Sequence, residues 1–162
     1  MKKNRLKISI AASLLLISSH LAAASMDGLG DLDGGSFDSS LAAVNADGSV
    51  VVGSSESSNG VEAFYWTQTD GMIGLGDLVG GSFYSNAQGV SVDGSVVIGY
   101  GSSTNGYEAF RWTQADGMVG LGDLAGGDFN SIAYGVSADG SVVVGESESA
   151  NGGSDKYYLE MT

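Results

Sequence analysis

Gly28-Leu29-Gly30-Asp31-Leu32 is written again as Gly74-Leu75-Gly76-Asp77-Leu78 and as Gly120-Leu121-Gly122-Asp123-Leu124, at a spacing of 46 residues. Self-similarity at a period of about 20 to 50 residues marks stacked supersecondary units, each hiding its apolar faces only against its neighbours. The units run 28–73, 74–119 and 120–162 within a single repeat domain, 25–162. Around them the turn signals recur at fixed offsets. Asp47-Gly48, Asp93-Gly94 and Asp139-Gly140 each sit between β-rich runs, which is the strongest short-range hairpin signal, its primed turn needing φ > 0 at both central residues.

In the second unit these signals delimit four extended segments: Gly74 to Leu78, about Asn86 to Ser91, about Ser95 to Tyr100, and Tyr107 to Thr113 after the turn Asn105-Gly106. The loop Val79–Phe83 separates the first two. Val96-Val97-Ile98 is β-branched and continuously apolar, as suits a strand covered on both faces. Phe110 and Trp112 alternate onto one face with Glu108. The expected fold is all-β: repeated four-stranded antiparallel meanders, propeller-like blades in an incomplete ring, because three units are fewer than the four to eight that close a propeller. The rivals are a right-handed β-solenoid, whose parallel strands do not reverse through two-residue turns, and an open sandwich of meanders. Glycine interrupts every candidate helical window.

The third unit departs from the pattern. Counted at the repeat spacing, positions that carry Glu, Ala, Phe and Trp read Ser154, Asp155, Lys156 and Tyr158, and the unit reads as atypical or truncated. Truncation is the favoured reading, beside a distinct capping end and self-association through open blade edges.

At the other end Lys2, Lys3, Arg5 and Lys7 precede the apolar run Ile8–Ile17, and Ala22-x-Ala24 offers a cleavage site before Ser25. Residues 1–24 therefore read as a secretory signal peptide, too short in its apolar run to span a bilayer, with an uncleaved anchor as the alternative. No transmembrane helix is expected in the mature chain. Four of the six basic residues lie in that leader and all nineteen acidic ones beyond it, leaving 2 − 19 = −17. A surface so acidic has no basic stripe to release counterions from a phosphate backbone, so nucleic acid is excluded as a partner. With no cysteine, and its one histidine, His20, in the leader, the mature chain lacks disulfides, Cys or His zinc sites, haem ligation by His and Ser-His-Asp chemistry.

Gly28-x-Gly30 and its copies start like a dinucleotide loop but lack the helix N-terminus that would hold a pyrophosphate. Asp31, Asp33 and Asp38 could offer oxygen ligands to calcium, yet the second unit has Asp77, Val79 and Tyr84 there, so the cluster is no property of the repeat. Glu62 and Glu108 stand beside aromatics as paired glycosidase carboxylates would, but at identical places in successive units, which reads as structure. Phe64, Tyr65, Trp66, Phe110 and Trp112 could stack on sugar rings, and at repeat spacing they read first as core. No catalytic, cofactor-binding or metal-binding residue is assigned, and no cofactor is expected.

The unit resembles the bacterial extracellular HAF repeat. The matching stretches are Ala109-Phe110-Arg111-Trp112-Thr113, Gly117-Met118-Val119, Leu121-Gly122-Asp123-Leu124, Gly126-Gly127 and Ser137–Gly145, while Glu62 and Glu108 replace the name-giving histidine. The resemblance implies a secreted or cell-surface bacterial protein, often an autotransporter passenger, with no agreed catalysis. The expected role is a non-catalytic display or binding scaffold with a surface ligand or polysaccharide as partner; the alternatives are a carboxylate-dependent carbohydrate-active propeller enzyme and a calcium-dependent adhesive module.

Overall fold

The computed structural model describes residues 26–161, so the expected signal peptide lies outside the described residues. Eleven strands fill them: β1 (Gly34–Val44), β2 (Val50–Ser57), β3 (Gly60–Thr67), β4 (Gly71–Gly74), β5 (Gly80–Val90), β6 (Val97–Ser103), β7 (Tyr107–Thr113), β8 (Gly117–Gly120), β9 (Gly126–Val136), β10 (Val142–Ser149) and β11 (Gly153–Glu160). No helix occurs among the described residues, and none is long and apolar enough to cross a membrane. The sheet path is β1-β2-β3-β5-β6-β7-β9-β10-β11, with β4 on β3 and β8 on β7. Ladders inside a unit run antiparallel, unlike solenoid rungs. Units meet through single parallel bridges, Val61 with Tyr84 and Tyr107 with Asn130. β1 and β11 remain the outer strands, so the sheet is open.

Each Asp-Gly turn forms where the sequence places it, with a different backbone from the expected one. Only the glycines have positive φ, Gly48 at 77°, Gly94 at 76° and Gly140 at 72°, and among the described residues no non-glycine residue does. Gly94 N–H donates to Ser91 O at 3.0 Å and Ser91 N–H to Val96 O at 2.9 Å, so the loop is longer than a two-residue primed turn and asks only its last residue to be left-handed. The aspartate supplies the rest. Asp93 Oδ1 accepts from Ser91 Oγ at 2.7 Å, Ser95 N at 3.0 Å and Ser95 Oγ at 2.8 Å, and these bonds, led by that from Ser91, hold its carboxyl down at about 2.

Stacking is legible in the core. Cross-strand partners share a face, so Ala87, Val97, Phe110 and Trp112 lie on one face of the second unit, here its front, and Ile98, Tyr100, Ala109 and Arg111 on its back. One cluster joins Val50, Val52 and Ala63 from the back of the first unit to Ala87, Val97 and Phe110 from the front of the second, sealed by Leu75 and Leu78. A second joins Val96, Ile98 and Ala109 to Ala133 and Val143 of the third unit. Ala63, Ala87, Ala109 and Ala133 are all fully buried, small side chains that let the layers approach. Burying a phenylalanine such as Phe110 between layers contributes about 1.5–3 kcal/mol.

Three boundaries differ from the expectation. The strand assigned to Gly74–Leu78 ends at Gly74, and Leu75-Gly76-Asp77-Leu78 is the crossover from one unit to the next. Its Leu75 N–H donates to Ala63 O at 2.8 Å, so the apolar alternation reflects two leucines plugging the interface. The expected loop Val79–Phe83 already belongs to β5 from Gly80 onward. The third unit keeps its register: the turn Asn151-Gly152-Gly153 carries one glycine more than Asn105-Gly106, and β11 is offset by that residue. Gly145 thus faces Tyr157 where Gly99 faces Phe110, and Glu146 faces Lys156 where Tyr100 faces Ala109.

Candidate functional site

The crossovers absorb most of the polar residues that the sequence offers. Glu62 Oε1 accepts from Gly76 N at 2.9 Å and Glu108 Oε1 from Gly122 N at 3.0 Å. Each carboxylate packs where a Cβ on Gly74 or Gly120 would stand, about 2.1 and 2.2 Å from its Oε1. The pair therefore performs one latch twice, each on its own crossover. Ser85 completes the first latch, its hydroxyl accepting from Ala63 N at 2.9 Å and donating to Gly76 O at 2.6 Å; Ser131 repeats this with Ala109 N at 2.9 Å and Gly122 O at 2.6 Å.

The three loop aspartates do not converge. Among the described residues no group of three or more His, Cys, Asp or Glu side chains could hold a metal ion. Asp38 lines a polar cleft with Ser54, Tyr84 and Asn86, between the first and second units.

Asp31, Asp77 and Asp123 are repeat equivalents, and the place beside them at the repeat spacing is Ser55, Gly101 and Ser147. Ser55 and Ser147 accept from Leu32 N at 3.2 Å and Leu124 N at 2.8 Å, and Ser147 also donates to Asp123. The second unit has Gly101 there; Asp77 Oδ1 is buried without a partner, and so is Asp31 Oδ1 although Ser55 is present in its unit. Burial raises the Asp77 carboxyl above its ordinary value, with the Tyr84 N–H opposing it. A Cβ on Gly101 would lie 3.3 Å from Asp77 Oδ1 and 3.1 Å from Tyr84 O. With the bond from Ser147 to Asp123 as precedent, Gly101→Ser is expected to stabilise the fold by about 1 kcal/mol, one net hydrogen bond, read as a rise of a few degrees in melting temperature. A fall would show that the Tyr84 carbonyl cannot yield the needed few tenths of an ångström.

The aromatic set divides. Phe64 and Phe110 are fully buried, whereas Tyr65, Trp66 and Trp112 are half-buried. Tyr65 and Trp112 meet with centroids 5.6 Å apart and planes tilted by 38°. They line a groove of about 620 Å³ that also takes in Thr67, Asp70, Arg111, Asp116 and, from the third unit, Asp139. Arg111 stands where the first unit has Tyr65; its Nη1 lies 3.6 Å from Asp116 Oδ2, and its Nε is buried without a partner. Burial, helped by Asp70 and Asp93, raises the Tyr65 hydroxyl above its usual value and keeps it a neutral donor.

A second aromatic group escaped the sequence reading. Tyr84, Tyr100 and Tyr107 form a triangle with ring centroids 5.7 to 5.9 Å apart, and the Tyr84 and Tyr100 hydroxyls are 3.2 Å apart. Burial first, then Tyr84, pushes Tyr100 up to about 12. The first unit has Asp38, Ser54 and Val61 at these places. The available signal was this departure from the repeat. Comparison with known proteins yields no match to the chain, whether by family model, curated protein or solved structure.

Proposed function

We propose that this chain is a non-catalytic, exported bacterial repeat scaffold of the HAF-like kind, whose Tyr65–Trp112 groove binds a neutral polysaccharide at the cell surface. Each unit acts as a propeller-like blade in an incomplete ring, a reading supported by the core clusters, which join the back of one unit to the front of the next. The groove carries the binding reading. Two half-buried rings beside one guanidinium and three carboxylates are the chemistry that seats a hydroxyl-rich ring: apolar faces for its C–H surface, charged rims for its hydroxyls. The strongly acidic mature surface favours an uncharged chain over an anionic one. Leader-like residues 1–24 support export.

The mature protein has two tryptophans, so Trp66→Phe leaves Trp112 as the single reporter. Titration with neutral oligosaccharides of several linkages is expected to shift and saturate its emission, and Trp112→Ala to weaken binding at least about tenfold by calorimetry. Emission unmoved at millimolar ligand throughout would overturn the assignment of the groove.

A further inference from the structure

The two seams between units are bridged at equivalent places, Val61 with Tyr84 and Tyr107 with Asn130, yet the side chains around the bridges differ. At the first seam Asp38, Ser54, Glu56 and Val61 of one unit and Tyr84 and Asn86 of the next line a cleft of about 220 Å³. One repeat later the places of Asp38, Ser54 and Val61 belong to Tyr84, Tyr100 and Tyr107, whose rings pack together with centroids 5.7 to 5.9 Å apart. An aspartate, a serine and a valine leave open what three phenol rings fill. The walls of the cleft are held in place. Asn86 Nδ2 donates to Ser54 Oγ across the seam at 3.1 Å, and Asn86 Oδ1 accepts from Gln88 Nε2 at 2.7 Å. The Tyr84 ring is braced from behind by Tyr100 and Tyr107, its hydroxyl 3.2 Å from that of Tyr100. Glu56 accepts from Ser36 Oγ, and Asp38 is exposed.

From this hollowed seam we infer a second carbohydrate subsite, in which Tyr84 backs one sugar ring while the Asp38 and Glu56 carboxylates accept hydrogen bonds from its neighbouring hydroxyls. The inference rests on the carbohydrate-binding reading above and extends it to a separate place. Carboxylates, serine hydroxyls and one carboxamide, with no ammonium or guanidinium among the lining residues, suit a ligand rich in O–H donors and repel an anion. Ser40 and Ser54 can both donate and accept, which matches hydroxyls; an amine, donor only, would use half of that capacity. The aromatic face beside them is the apolar half of the same recognition, and bracing it beforehand leaves less to be ordered on binding. Val61 at the cleft and Thr67 at the groove stand at opposite ends of β3, about 20 Å apart at about 3.3 Å per residue, so the two sites take different sugar rings.

Nuclear magnetic resonance of the mature chain, residues 25–162, titrated with cellotetraose, laminaritetraose and maltotetraose, decides it. At least one sugar is expected to move and saturate the signals of Tyr84 and of the Asn86 carboxamide. Asp38→Ala changes an exposed side chain and leaves the fold intact; Ser54→Tyr restores the ring that Tyr100 supplies one repeat later. Each is expected to weaken the response at Tyr84 and Asn86 at least about tenfold while Tyr65 and Trp112 still respond. Tyr84 and Asn86 unmoved by all three sugars, moved by spermidine alone, or moved equally in the unaltered and Asp38→Ala chains would each overturn the inference. Shifts confined to Tyr65 and Trp112 would keep the groove and remove the cleft, and shifts confined to Tyr84 and Asn86 would do the reverse, so the two proposals fail separately.

Discussion

Gly99→Ala is expected to destabilise the protein by about 3 kcal/mol or more, a drop of about 10 °C in melting temperature. The reason is the register shift in β5 between Ala87 and Gly89, which swings the neighbouring backbone towards β6. An added Cβ at Gly99 would stand 2.0 Å from Asn86 O and 2.9 Å from Ala87 Cα, and both are backbone atoms with no rotamer to relax into. Only a hydrogen fits against the bulge, which doubles the residues on one strand and bends it. The same geometry recurs at Gly53, 2.0 Å from Ser40 O, and at Gly145, 2.0 Å from Ile132 O, so all three Gly→Ala changes should be costly. Gly28, with nothing within 4 Å of its Cβ position and no positive φ, serves as the control. Urea unfolding of the four variants is the measurement; a Gly99→Ala loss below about 1 kcal/mol would mean that the bulge is dispensable.

Removing a single hydroxyl should have the next largest effect. Ser85→Ala leaves the fully buried Ala63 N–H and the half-buried Gly76 O without partners, at about 1–3 kcal/mol for a buried orphaned group. A total of about 2–4 kcal/mol is expected, and twin behaviour from Ser131→Ala. Ser39 is the repeat equivalent in the first unit and is exposed, so Ser39→Ala should change stability by less than about 0.5 kcal/mol. Chemical denaturation gives the difference, and amide exchange at Ala63 should quicken in Ser85→Ala alone. Equal effects at Ser39 and Ser85 would contradict the latch.

Much of the architecture could be read from the residues, because turn chemistry is local. Asp-Gly pairs bracketed by Val-Val-Ile and Phe-x-Trp announced the reversals, and the apolar character of Val97 and Ile98 announced burial on both faces. The crossover was illegible for a physical reason: Gly74-Leu75-Gly76-Asp77-Leu78 alternates as a strand does, and only tertiary packing shows that its leucines plug an interface. The offset in β11 was hidden in one glycine of the turn at Asn151, since a fixed period cannot register an insertion until the strand has a partner to be counted against. Ser85 gave no signal, because a serine that bridges two units looks like any other serine. At the groove, the sequence presented Phe64, Tyr65, Trp66, Phe110 and Trp112 as one set; which rings are sealed and which reach the surface depends on the face each occupies. The all-β class is met, in a single open sheet.

The narrow seams between units bear on how such a protein yields to tension. Successive modules are tied along the sheet by one parallel bridge each, Val61 with Tyr84 and Tyr107 with Asn130, while within a module whole ladders hold. Pulled by its ends, as a tether on a cell exposed to flow would be, the chain would part at the seams first and lengthen in a few discrete steps. With no proline isomer and no sulfur crosslink, nothing of that kind slows the return of the stack on release.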